Sequence, residues 1–118
     1  MLAHGSPVAE ANEAVRAVAG TMARAGSLAF TEVAFLEPAH PNLDESVARL
    51  AERGVSRVLV IPYFLTLGTH MQRDLPALID RVAERHQDLE IRATPPLDGH
   101  PGLAQILLDR AREALANW

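Results

Sequence analysis

Val58-Leu59-Val60-Ile61, continuing through Pro62 into Tyr63-Phe64-Leu65, is nearly unbroken in apolar character and rich in β-branched residues. Such a run fits a central strand of a parallel sheet covered on both faces, because a half-exposed strand would alternate apolar and polar residues. Toward the C-terminus, Gly68 marks a turn, and Leu75, Leu78, Ile79 and Val82 recur at helical spacing. Pro76 places the regular start of that helix near Asp74. Residues 89–94 alternate Leu89, Ile91 and Ala93 with Glu90, Arg92 and Thr94, the pattern of an edge strand. A last helix opens at His100-Pro101, with proline suited to the first helical position, and is expected to bury Leu103, Ile106, Leu107 and Leu115.

Toward the N-terminus the same alternation continues. Asn42 with Glu45 three residues on matches a capping box, and Leu43, Val47 and Leu50 form the inner face of a helix ending near Gly54. Residues 28–36 read as a strand with a partly exposed face, interrupted by Thr31 and Glu32. Residues 7–25 place Val8, Ala11, Val15, Val18 and Met22 on one helical face, with Gly26 as the stop. Met1-Leu2-Ala3 is left as a first strand. The order is βαβαβαβα, which predicts a three-layer α/β/α domain over residues 1–118. Strong apolarity in the third strand predicts a flavodoxin-like, four-stranded parallel sheet of order 2-1-3-4. A central strand is usually about five residues long, so the short Met1-Leu2-Ala3 run is the weakest part of that prediction.

Composition narrows the function. The 118 residues are 48% hydrophobic, with formal charge -4 and no cysteine. An acidic chain without a basic, aromatic-interleaved run points away from nucleic acid. The lack of thiols excludes a disulfide framework and a thiolate zinc site. No apolar run approaches the roughly 20 residues of a membrane span, so a cytoplasmic protein is expected.

Three apolar runs end in groups that can bind a metal or move a proton: His4, Glu37 and, shortly after residue 65, His70. Parallel strands would bring all three to one sheet edge, with His4 and His70 flanking the crevice where the winding direction reverses. Two imidazoles and a carboxylate suit cobalt(II), iron(II), nickel(II) or zinc(II), whereas magnesium or calcium would call for more oxygen ligands. So few ligands hold a metal loosely, as delivery requires, and imidazoles titrating near neutrality can also accept protons. His40-Pro41 reads as a turn, His100 as a helix cap, and His86, among Glu84, Arg85 and Gln87, as solvated.

At these residues the chain resembles the short, CbiX-type sirohydrochlorin chelatases, the cobaltochelatase and ferrochelatase family of class II chelatases. The matching stretches are Ala3-His4-Gly5-Ser6, Ala34-Phe35-Leu36-Glu37, Val60-Ile61-Pro62-Tyr63-Phe64-Leu65 with Gly68-Thr69-His70 and Asp74-Leu75-Pro76, and Pro96-Leu97-Asp98-Gly99-His100-Pro101-Gly102-Leu103-Ala104. Each is weak alone; their order and spacing are specific. The resemblance implies ATP-independent insertion of cobalt(II) or iron(II) into sirohydrochlorin, in cobalamin or siroheme synthesis. The divalent metal is then a substrate, no organic cofactor is needed, and the chain pairs as a homodimer. It also implies that His4 and His70 are metal ligands and that Glu37 is the active-site acid. Phe64 and Leu65 are candidates for a wall supporting the macrocycle, and Arg73 for a contact with its carboxylates. Two other classes use the same residues: a noncatalytic cobalt or nickel binding module, and an α/β phosphoryl-transfer enzyme built on His4. The latter lacks a neighbouring arginine and a second phosphate motif.

Overall fold

Leu2 is completely buried and Ala3 nearly so; together they form strand β1 (Leu2–Ala3). The computed structural model covers residues 1–118. On one side β1 pairs in parallel with β2 (Ala34–Phe35), Leu2 opposite Ala34 and Ala3 opposite Phe35. On the other, Leu2 makes a single parallel bridge to Pro62: its N–H donates to the Ile61 carbonyl at 2.9 Å, and its carbonyl accepts from the Tyr63 N–H at 2.7 Å. Strand β3 (Arg57–Val60) pairs in parallel with β4 (Glu90–Ala93), in register from Arg57 opposite Glu90 to Val60 opposite Ala93.

The chain therefore forms two small parallel sheets joined at one bridge, where the sequence predicts one four-stranded ladder. The short first strand accounts for much of this. A ladder extends only as far as both strands have partners. Of the strand expected over residues 28–36, only Ala34-Phe35 meets β1, and Leu28 and Phe30 lie exposed. Pro62 has no N–H to donate, so regular β3 pairing gives way near it.

Helix α2 (Leu43–Glu52) starts as its sequence predicts. The Asn42 side chain accepts from the Glu45 N–H at 2.9 Å, and the Glu45 carboxylate accepts from the Asn42 N–H at 3.0 Å. Its inner face, Leu43, Val47 and Leu50, meets Leu2, Ala34, Val58, Val60, Leu75 and Val82 in one core. Helix α3 (Thr69–Arg85) begins five residues before the expected Asp74 and carries Pro76 inside it. Pro76 cannot donate to the carbonyl four residues back. The turn before it still closes through the Gln72 N–H donating to the Gly68 carbonyl at 3.0 Å, and Leu75 and Val82 anchor the helix in the core.

The other two helices depart from their predicted packing. In α1 (Ala9–Ala25) Ala19 alone is buried, while Val8 and Val18 of the expected inner face are exposed. Helix α4 (Gly102–Ala116) buries no residue, so the face expected to carry Leu103, Ile106, Leu107 and Leu115 inward is uncovered. Strand β3 shows the consequence: Val58 and Val60 face the α2 and α3 side, but Leu59 on the reverse is 57% exposed. The expectation of a central strand covered on both faces is thus corrected, because no helix of this chain closes over the reverse face. The outline is elongated, 55 × 33 × 29 Å. No helix is long and apolar enough to cross a membrane.

Candidate active site

His4 leaves β1 through a turn that only glycine makes easily. Gly5 has φ +79°, and a Cβ there would stand 2.8 Å from the Ala39 Cβ. The turn is clamped from α1, where the Asn12 carboxamide accepts from the Ser6 N–H at 2.9 Å and donates to the Ser6 carbonyl at 2.8 Å. His4 is exposed to solvent and meets the Phe64 ring edge to face, with centroids 4.7 Å apart and planes at 72°. Aromatic pairs of this geometry contribute about 0.5–1.5 kcal/mol beyond area burial, enough to bias the imidazole toward one orientation.

Phe64 is buried and held from behind. Its carbonyl accepts from the Leu97 N–H at 3.1 Å, and the Leu65 carbonyl accepts from the Asp98 N–H at 2.7 Å. The Thr66 hydroxyl reaches the Asp98 carboxylate at 3.3 Å. Of the expected apolar wall, Phe64 supports His4 while Leu65, 69% exposed, presents its side chain to solvent. The segment around Leu97 and Asp98 that fastens this corner was not singled out as part of a site by sequence reasoning.

Glu37 follows β2, where the Leu36 N–H donates to the Ala3 carbonyl at 2.9 Å. It is exposed and lines a cavity of about 320 Å³ between the end of β2, the start of α2 and α3. The α3 wall comprises Met71, Asp74, Leu78, Arg81 and Arg85. Sequence reasoning missed this wall, although its three- and four-residue spacing marks one helical face. His70 is the second residue of α3 and is exposed.

Each of the three predicted groups lies just beyond a strand or at the following helix start, but no three His, Asp or Glu side chains are gathered closely enough to hold a metal ion. His4, Glu37 and His70 are therefore not a preformed coordination sphere. Arg73 is exposed and lies 3.5 Å from its neighbour Asp74. An imidazole in its neutral form can act as a transient metal ligand or proton acceptor, and a carboxylate can supply a negative charge.

The remaining histidines have structural partners. His40 Nδ1 lies 2.5 Å from Glu45 Oε1 and joins the α2 cap. The Glu45 carboxyl is held below its usual range, first by the Asn42 N–H and then by His40. His100 Nδ1 accepts from the Gly102 N–H at 2.9 Å at the start of α4, as expected of a cap. His86 departs from its solvated reading: its ring is largely covered and its Nε2 lies 3.1 Å from Asp44 Oδ1. Asp44 occupies the first turn of α2, where negative charge is favoured, and the end of α3 brings His86 and Arg85 to it.

The CbiX family model matches residues 1–114. The sirohydrochlorin cobaltochelatase of Methanopyrus kandleri is 30% identical, with the alignment covering 98% of this chain and 94% of that protein. The sirohydrochlorin ferrochelatase of Priestia megaterium is 28% identical over 93% of this chain, which spans 41% of its length. Among solved structures, the cobalamin biosynthesis CbiX protein of Marinobacter aquaeolei VT8 superposes with a TM-score of 0.88 at 33% identity, covering 99% of this chain and 95% of that one. SirB from Bacillus subtilis with Fe3+ gives 0.72 at 27% identity, covering 80% of this chain and 38% of its own. With a family match over nearly its whole length and a fold to match, this chain belongs to the CbiX family.

Proposed function

We propose that this protein is a sirohydrochlorin chelatase that inserts a divalent metal, cobalt(II) or iron(II), into the macrocycle without ATP. The observation that carries this reading is near end-to-end similarity to a sirohydrochlorin cobaltochelatase. In this reading His4 and His70 bind the incoming metal transiently, and one of them accepts a pyrrole proton as the metal enters. Glu37 accepts a proton or offsets the cation's charge. The edge-on contact of His4 with Phe64 supports the proposed role by orienting the imidazole. Leu65 lies flat against the macrocycle and Arg73 meets a peripheral carboxylate.

The open spacing of the three groups suits a metal that must leave with the product. A tightly coordinated ion would resist transfer, whereas a metal held by few ligands can exchange them for ring nitrogens. Proximity then lowers the barrier once the macrocycle is seated. The bridge at Leu2 and Pro62 supports the spatial order 2-1-3-4, and the active form is a homodimer in the cytoplasm.

Anaerobic incubation with sirohydrochlorin and cobalt(II) or iron(II), followed by absorbance, tests the reading. Wild type accelerates insertion over the uncatalysed rate, and His4→Ala and His70→Ala each lower it by about 10²-fold or more. Metal binding without accelerated insertion would favour a binding module. Full activity in both variants would refute the assigned site.

A further inference from the structure

His4 is fixed through its neighbours. Upstream, the Ala3 carbonyl accepts from the Leu36 N–H at 2.9 Å; downstream, Ser6 is bonded to Asn12. Between these anchors the main chain of His4 and Gly5 forms no hydrogen bond. The direction in which the imidazole leaves the sheet edge is therefore set by whatever holds the two ends.

The downstream anchor is a single side chain. Asn12 Oδ1 accepts from the Ser6 N–H at 2.9 Å and Asn12 Nδ2 donates to the Ser6 carbonyl at 2.8 Å. One carboxamide thus satisfies both main-chain groups of one residue, as a neighbouring strand would. The Ser6 hydroxyl completes the turn by accepting from the Val8 N–H at 3.0 Å. Among side chains of this length only asparagine carries a donor and an acceptor side by side. Asparagine is also a poor helix former, and it adds nothing to the buried face of α1, where Ala19 alone is buried. One turn further, Arg16 lies over the Phe35 ring, 5.4 Å from its centroid, and Phe35 flanks Gly5 together with Ala39. Asn12 and Arg16 therefore direct one face of α1 at the turn that follows His4.

We infer that Asn12 is a positioning residue for His4: its carboxamide fixes Ser6, and with it the Gly5 turn, so that the imidazole stays against Phe64 and is presented to the incoming metal. The catalytic consequence rests on the chelatase reading, whereas the orientation of His4 can be tested without it. An imidazole that must hold and release a metal, or accept a proton, loses rate when its approach is misplaced by about 1 Å. Asn12 touches neither metal nor macrocycle in this account and acts through the main chain of Ser6.

Two substitutions separate the clamp from the stability of α1. Asn12→Asp keeps the size of the side chain and the acceptor for the Ser6 N–H but loses the donor to the Ser6 carbonyl, and its negative charge near the start of α1 favours the helix. Asn12→Ala removes both bonds and raises helix propensity. Helicity by circular dichroism is expected to be retained in both. The His4 ring resonances, assigned by their loss in His4→Ala, carry a ring-current shift from Phe64 that disappears in Phe64→Leu. In both Asn12 variants they are expected to move toward their Phe64→Leu positions, while those of His86 and His100 stay in place. In the insertion assay kcat is expected to fall about tenfold, with KM for sirohydrochlorin within about twofold of wild type. Unmoved His4 resonances would overturn the proposal, and so would moved resonances with unchanged kcat. Loss of helicity in Asn12→Asp would assign the carboxamide to the folding of α1 and overturn it as well. A wild type that inserts no metal would refute the chelatase reading; moved His4 resonances would then still support the clamp, and unmoved ones would overturn it.

Discussion

At His4 the backbone must turn on Gly5 and the ring must lie against Phe64, so two neighbours outside the metal-binding set govern how this histidine is presented. Replacing Phe64 with leucine keeps an apolar side chain in the core and is expected to cost under about 1.5 kcal/mol of stability. It removes the aromatic edge, and insertion of metal into sirohydrochlorin is expected to fall several-fold while the melting temperature drops by no more than several degrees, so the protein stays folded under assay conditions. Gly5→Ala places a methyl group against Ala39 in a left-handed backbone conformation, a strain of order 1–3 kcal/mol. A lower melting temperature accompanied by reduced insertion checks it. His4, Glu37 and His70 were legible as polar groups following apolar runs, because that pattern depends only on strand periodicity and chain order. The cavity beside Glu37 was not: the spacing of Met71, Asp74 and Arg81 marks one face of α3, but which strand end that face meets is set by tertiary packing. His86 was misread for the same reason: its partner Asp44 lies in another helix.

Helix α2 is the element whose beginning was most legible, because a capping box is written in four consecutive residues. Asn42→Ala is expected to cost about 0.5–2 kcal/mol, measurable by thermal or urea denaturation. The Glu45 carboxyl in that cap has its folded-state pKa lowered by the Asn42 N–H and then by His40. Its contribution to stability is therefore present above the usual carboxylate range and is lost as the pH falls through the lowered value. Acid titration of stability should show a loss in that window, and Glu45→Gln should flatten it. Helix α3 was harder to read: Pro76 argues for a start near Asp74, yet core contacts at Leu75 and Val82 sustain a helix from Thr69. Strand β2 was over-read because Leu28 and Phe30 are apolar enough for a sheet, but β1 offers them no partner.

The molecule as a whole contains an ordered core between the sheets and the α2–α3 pair, while α1 and α4 leave apolar faces open. Periodicity correctly identified α4 as amphipathic but assigned its stripe to the chain's own core; the identity of the covering surface is not encoded in spacing. The homodimer of the proposed function should melt at higher temperature as protein concentration rises, and a melting temperature independent of concentration would count against it. The bridge between the two sheets carries a different consequence. Only the hydrogen bonds at Leu2 join the β1–β2 pair to the β3 side, and His4 lies on one side of that seam while His70 follows the other. Beyond those two bonds the seam is held by the shared core of Leu2, Ala34, Val58 and Val60 and by the contact of His4 with Phe64, so the spacing of the two histidines rests on side-chain packing across it. Amide hydrogen exchange is expected to be faster at Leu2 and Tyr63 than within β3–β4, because a single bridge opens locally more readily than a four-residue ladder.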